Sequence, residues 1–172
     1  AILTRIGVSH IENFGSQEKI LAGKMQICDG LPDDGLLVVN GDDERLAAAA
    51  APRQIRKVCF GIENPCADVC ACAIMGDAQG QRFTIRDRLH GELSAAIPAV
   101  GRHNIGNALA AYTAATRLGL DAARAAAALA DFRPTGMRQM LVQHDGVQLI
   151  LDCYNANPDS MRAALEALSA IG

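Results

Sequence analysis

A chain of 172 residues, half of them hydrophobic, can bury the core of one ordinary domain or of one domain plus a fragment. Its net charge of −3 excludes the broad basic surface that nucleic-acid binding requires, and no apolar run reaches membrane-spanning length. Much of the hydrophobic content is alanine and only 3% of residues are aromatic, which favours helices that bury little area per residue.

In chain order, residues 1–8 (AILTRIGV) read as a strand buried on both faces, the kind found in parallel sheets. The stretch 9–16 (SHIENFGS) carries turn signals, and a helix is predicted from near Ser16 to about Leu31, with Glu18 in its first turn. Pro32-Asp33-Asp34-Gly35 is a turn before a second buried strand, LLVVN at 36–40. Gly41-Asp42-Asp43 opens a short alanine-rich helix, and KVCFGI at 57–62 is a third strand. This alternation predicts an α/β fold with a mostly parallel central sheet flanked by helices. Three shorter strands then follow at 68–75, 81–87 and 91–100, joined by Gly-containing turns, and predict a smaller antiparallel region on the same sheet system. Helices are expected at 103–119, stopped by Gly119, and at 120–132, capped by Asp121. A loop at 133–139 leads to a hairpin at 140–153 that turns at Asp145-Gly146, then to a loop at 154–158 and a last helix. That last segment has the size of the first strands and helix of a following α/β domain. The expected division is therefore 1–135 and 136–172. Ala1 opens directly into an apolar run, the start expected of a piece of a longer chain.

Six cysteines are present, and Cys66, Cys70 and Cys72 fall in the spacing C-x3-C-x-C. That spacing lacks the paired C-x2-C or histidine partners of a zinc site, and reads as reduced thiols on a strand.

Three places carry residues suited to chemistry. Ser9-His10-Ile11-Glu12 lies past the carboxyl end of a predicted parallel strand, where open α/β sheets bind ligands. A histidine there can ligate a metal or orient a phosphate; it can equally be a loop histidine with no ligand. Lys24 shares the stripe Ile20, Lys24, Ile27, Leu31, which points it toward the core side. Burial would lower an amine's pKa and make it nucleophilic, unless the side chain snorkels into water. In GRHNIGN at 101–107, Asn104 and Asn107 lie on one helix face. Their amides can donate and accept at once, as an adenine edge requires, although Asn104 could simply cap the helix. Arg133 and Arg138 flank a loop and carry forks suited to phosphate oxygens. Asp152 ends a strand ahead of Tyr154 and Asn155, where a carboxylate can accept from ribose hydroxyls or hold a metal-bound water.

Together these segments resemble the Mur ligase family. The matching stretches are I-G-V-S-H-I-E-N-F-G-S at 6–16, K-M-Q-I at 24–27, N-G-D-D at 40–43, G-R-H-N-I-G-N-A-L-A-A at 101–111, F-R-P-T-G-M-R-Q at 132–139 and D-C-Y-N-A-N-P-D-S-M at 152–161. The last two resemble most the member that joins D-alanyl-D-alanine to a UDP-N-acetylmuramoyl-tripeptide, since sister ligases tend to carry Y-A-H where this chain has Tyr154-Asn155-Ala156-Asn157.

The resemblance implies a cytoplasmic ATP-dependent amide ligase of peptidoglycan precursor synthesis that works through an acyl phosphate, with ATP and magnesium (Mg2+) as its cofactors. It assigns His10 to a magnesium ion and Lys24, as a carbamate, to a second one. Asn104, with Asn107, would meet the adenine, Arg138 the γ-phosphate, and Asp152 the ribose, with Tyr154 and Asn155 beside it. The chain departs from the family pattern in several ways. It contains no glycine-rich phosphate loop, and Gln26 stands where an acidic residue is expected. The family's further magnesium-binding glutamate and its UDP-sugar domain have no counterpart in these residues. The piece alone is therefore expected to be inactive, to bind ATP poorly and, through exposed apolar edges, to self-associate. Rival readings are a sister Mur ligase, a folylpolyglutamate synthetase-like ligase, a non-catalytic nucleotide-binding module and an oligomerising domain with no site.

Overall fold

A computed structural model describes residues 1–7, 11–77, 79–133, 136 and 140–171. The first sheet takes its strands in chain order: β1 (Ile2–Leu3), β2 (Leu36–Asn40), β3 (Arg56–Gly61), β4 (Val69–Asp77), β5 (Gly80–Asp87) and β6 (Gly91–Ile97). The pairs β1–β2, β2–β3 and β3–β4 are parallel, while β4–β5 and β5–β6 are antiparallel. A parallel α/β half and an antiparallel flank on one sheet are what the sequence pattern predicted.

Strand β2 is buried on both faces, which its uninterrupted apolar run requires. Leu37 and Val39 face a core that also holds Leu3, Ile20, Met25 and Leu46, contributed in part by helices α2 (Gln17–Met25) and α3 (Glu44–Ala50). Leu36 and Val38 face the larger core with Phe60, Ile85 and helix α4 (Arg102–Arg117). On α4 the stripe Ile105, Leu109, Tyr112 and Thr116 is buried at helical spacing. Each fully buried large apolar side chain there contributes about 1.5–3 kcal/mol.

Expected boundaries moved for local reasons. Strand β1 is two residues long rather than eight. Beyond Leu3 the backbone is held by side chains instead of a neighbouring strand, as described below. A one-turn helix, α1 (Ile11–Phe14), occupies part of the predicted loop. Ser16, near which a helix was predicted to start, caps α2, accepting from the Lys19 amide at 3.3 Å. The helix stops at Met25 and tightens into a 3-10 turn at Gln26–Cys28 rather than running to Leu31. Helix α5 (Ala122–Ala128) is capped by Asp121, as predicted.

At the far end of α4, Arg117 closes a buried polar cluster. Its guanidinium donates to both oxygens of Asp87, at 2.9 and 2.7 Å. The same carboxylate accepts from the Tyr112 hydroxyl at 3.1 Å and the Leu89 amide at 2.9 Å, and His90 Nδ1 lies 2.8 Å away. Burial alone would push this carboxyl up. Arg117 first, then His90 and the Leu89 amide, outweigh burial and hold it well below the usual carboxylate range. The cluster ties the end of β5 to the end of α4.

The last segment forms a separate two-stranded antiparallel sheet, β7 (Met140–His144) and β8 (Val147–Leu151), which turns at Asp145-Gly146 as predicted. Helix α6 (Pro158–Ile171) follows. Asn157 Oδ1 accepts from the Ser160 amide at 3.0 Å at the start of that helix, and proline holds its first position. No helix among the described residues is long and apolar enough to cross a membrane.

Candidate functional site

A cleft of about 800 Å³ opens at the carboxyl edge of the parallel strands. Its walls are Thr4–Ile6 after β1, Asn40 and Asp42–Arg45 after β2, Phe60, Ile62 and Glu63 around the end of β3, and the first turns of α4 with Gly101, Arg102, His103 and Asn107. Ala163, Glu166 and Ala167 of α6 close it from the other side. This is the edge at which open α/β sheets bind ligands, and the volume suits a small-molecule site of about 300–1,000 Å³.

The segment at 4–6 is held by three side chains from three elements. Asn40 Nδ2 donates to the Thr4 carbonyl at 2.7 Å, Lys24 Nζ to the Arg5 carbonyl at 2.8 Å, and the Ile6 amide donates to Asp43 Oδ2 at 2.7 Å. Asp43 Oδ1 also accepts from the Leu46 amide at 3.2 Å and so caps α3. Asp42 accepts from three successive amides, those of Ile62, Glu63 and Asn64, at 2.6, 3.0 and 2.8 Å. Gly61 makes that approach possible, because a Cβ there would collide with the Asp42 carboxylate. Glu63 then pairs with Arg102 in the first turn of α4. Gly101, at φ 91°, precedes the helix, and a Cβ there would meet the His103 ring.

Lys24 does not point toward the core, as its stripe predicted. Lys24 and Ile27 are exposed, and the buried positions are Ile20, Met25 and Cys28. Within the regular turns of α2 Ile20 is buried and Lys24, four residues on, is exposed; burial passes to Met25 instead, and the tightening after Met25 then buries Cys28 rather than Ile27. The Lys24 amine instead reaches the strand-end backbone beside the cleft, donating to the Arg5 carbonyl.

The other predicted residues divide. Asn107 lines the cleft; Asn104 does not, and its Nδ2 donates to the Val100 carbonyl at 2.8 Å. Gly101, not Asn104, is the cap of α4. Asp152 is half-buried and Tyr154 and Asn155 are exposed, but none of the three lines the cleft. Arg133 donates to the Phe132 carbonyl at 2.8 Å. His10 and Arg138 lie outside the described residues.

Sequence reasoning missed the work of Asn40, Asp42 and Asp43 and the Glu63–Arg102 pair. The available signal was a polar run, N-G-D-D, directly after a buried strand.

Among the described residues no group of three or more His, Cys, Asp and Glu side chains forms a metal site. Cys28, Cys59, Cys66, Cys70 and Cys72 form no disulfide. Burial, then the nearby Asp68 and Asp42 carboxylates, push the Cys59 thiol up. A neutral thiol there is not a nucleophile.

Residues 1–115 match the Mur ligase middle domain. The chain is 36% identical over 172 residues to the UDP-N-acetylmuramoyl-tripeptide–D-alanyl-D-alanine ligase of Bacillus subtilis, covering 99% of this chain and 36% of that protein. It is 35% identical over 174 residues to the UDP-N-acetylmuramate–L-alanine ligase of Psychrobacter cryohalolentis, covering 97% of this chain and 36% of that one. The crystal structure of MurF from Acinetobacter baumannii superposes with a TM-score of 0.92 at 28% identity, over 100% of this chain and 37% of that chain. The chain thus spans about a third of the length of the relatives it matches. With two-thirds of its residues inside the family's middle domain and the fold in agreement, the chain belongs to the Mur ligase family.

Proposed function

We propose that this chain is the catalytic middle of an ATP-dependent ligase that joins D-alanyl-D-alanine to a UDP-N-acetylmuramoyl-tripeptide, a cytoplasmic step of peptidoglycan precursor synthesis. Residues 1–135 are the C-terminal part of its central, ATP-binding domain, and 136–172 begin its C-terminal domain. The observation that carries the reading is the cleft: strand ends, the polar first turns of α4 and helix α6 enclose one space of nucleotide-binding size.

In this reading Asn107, with Asn104 next to it on α4, meets the adenine edge, and Asp152 holds the ribose with Tyr154 and Asn155 beside it. Arg138 reaches the γ-phosphate, and the cations of Arg5, Arg45 and Arg102 line the same cleft. A carboxylate oxygen of the tripeptide bonds to the γ-phosphorus as the bond to the ADP oxygen breaks. The amine of D-alanyl-D-alanine then attacks the carbonyl carbon, loses a proton and expels phosphate. Magnesium, when bound, neutralises charge on the transferring phosphates. The described side chains alone do not make its site. His10 would supply one ligand. Lys24, a hydrogen-bond donor in this structure, would supply another only after its amine adds carbon dioxide, loses a proton and becomes an anionic carbamate.

The test is a chimera in which this chain replaces the matching stretch of the Bacillus subtilis ligase. Release of ADP should require both the tripeptide substrate and D-alanyl-D-alanine. Turnover with L-alanine or glutamate instead would move the assignment to a sister ligase. A folded chimera without nucleotide-dependent turnover would favour a non-catalytic module. The isolated chain should show no turnover and only weak ATP binding. Its exposed Val147, Leu149, Leu165 and Leu168 favour self-association.

A further inference from the structure

The run Asn40-Gly41-Asp42-Asp43 has no role in the chemistry just described, yet three of its side chains reach out of their own loop to the strand ends on either side. Asn40 and Asp43 take the Thr4 carbonyl and the Ile6 amide on one side, at 2.7 Å each. Asp42 takes the amides of 62–64 on the other. Asn64 returns the contact, its Nδ2 donating to the Gly41 carbonyl at 3.0 Å. We propose that Asn40, Asp42 and Asp43 are positioning residues of the nucleotide cleft, setting the backbone of its two side walls from the central strand.

The inference rests on the ligase reading of that cleft. Four observations support it. First, all three side chains line the cleft rather than the core. Second, capping α3 needs only one carboxylate oxygen of Asp43, the one facing Leu46 at 3.2 Å; the other makes the shorter bond, to Ile6. Third, the segment at 4–6 continues toward His10 without strand partners, so side chains are what fix it. Fourth, the wall held by Asp42 carries Glu63, whose pair with Arg102 reaches the first turn of α4, the helix of Asn104 and Asn107. One short loop thereby sets the spacing between the groups assigned to phosphate and to adenine. Ionised carboxylates accepting from backbone amides are well suited to this, since such bonds are short and directional.

Two substitutions separate positioning from plain folding. Asp42→Asn keeps the size of the side chain but leaves one acceptor oxygen for three amide donors. Asp43→Ser retains a cap for α3 and is too short to reach Ile6 as well. Hydrogen–deuterium exchange of the chain should rise about tenfold at 62–64 in Asp42→Asn and at Ile6 in Asp43→Ser, the effect of losing one or two charge-assisted bonds. Exchange across α3 and β5 should stay unchanged. In the chimera each substitution should raise KM for ATP about tenfold while KM for D-alanyl-D-alanine stays within about twofold. Unchanged exchange at those amides, or changed exchange with KM for ATP unmoved, overturns the inference. If Asp42→Asn does not fold, Asn40→Ala repeats the test at 4–6. If the unsubstituted chimera lacks ATP-dependent turnover, the ligase reading has failed and this inference falls with it; turnover with an unmoved KM sinks the inference alone.

Discussion

Replacing Asp87 by alanine strands a buried cation, and the cost can be worked from the structure. Asp87 is 2% exposed and the Arg117 side chain 8%. The substitution removes the acceptor of both guanidinium bonds and of the Tyr112 hydroxyl and the Leu89 amide. Breaking a buried ion pair by deleting one partner costs about 3–5 kcal/mol. A domain of this size loses about 2–4 °C of Tm per kcal/mol, so Tm should fall by roughly 6–20 °C. Thermal unfolding followed by circular dichroism at neutral pH is the assay. The double variant Asp87→Ala, Arg117→Met removes the stranded charge and should recover part of the loss, giving a clear coupling energy. The pH dependence has a definite sign. The folded carboxyl titrates below its unfolded value of about 3.9, so its contribution is complete above that pH and fades as pH falls toward the folded value. Wild-type Tm should therefore drop more steeply than that of Asp87→Ala below about pH 4. A loss smaller than about 3 °C at neutral pH, or strict additivity in the double variant, would refute the reasoning.

Further outcomes are expected. Gly61→Ala places a methyl against the Asp42 carboxylate and should destabilise the chain by about 1–3 kcal/mol, read by urea unfolding, whereas a neutral result means the loop yields freely. Alkylation at pH 8 should label exposed Cys66 before half-buried Cys59 and buried Cys28, as peptide mass mapping would report; early labelling of Cys59 contradicts its raised thiol. Lys24→Ala should leave Tm of the chain nearly unchanged, because the side chain is exposed. In the chimera it should cut turnover about a hundredfold or more, partly restored by short carboxylates, and near-normal turnover would end the carbamate assignment.

The fold was legible where one signal dominated. Strand β2 is an apolar run with no polar face, the β7–β8 hairpin carries its Asp145-Gly146 turn, and α5 carries Asp121 as its cap. Strand β1 misled because its apolar residues continue past the point where backbone pairing ends; hydrophobicity reports burial, and Ile6 is buried without being in the ladder. The Lys24 stripe failed because the small residues Ala22 and Gly23 give α2 little phase information: burial steps from Ile20 to Met25 rather than to Lys24, and the turn that tightens at Gln26–Cys28 then buries Cys28 rather than Ile27. Asn107, singled out with Asn104 from its place at the start of a strong helix, lines the cleft. The roles of Asn40, Asp42 and Asp43 were not legible, since each partner is a backbone group about 20 or more residues away and leaves no side-chain pattern. The Asp87–Arg117 pair was hidden for the same reason of distance, 30 residues apart in sequence.

The most direct test of the central claim is to titrate the isotopically labelled chain with ADP at millimolar concentration and map the amide resonances that move. The cleft account predicts shifts gathered at residues 4–6, 40–45, 61–64, 81, 101–107 and 163–167, with the rest of the antiparallel flank at β5 and β6 unmoved. Shifts confined to that flank, or to α5, would contradict it.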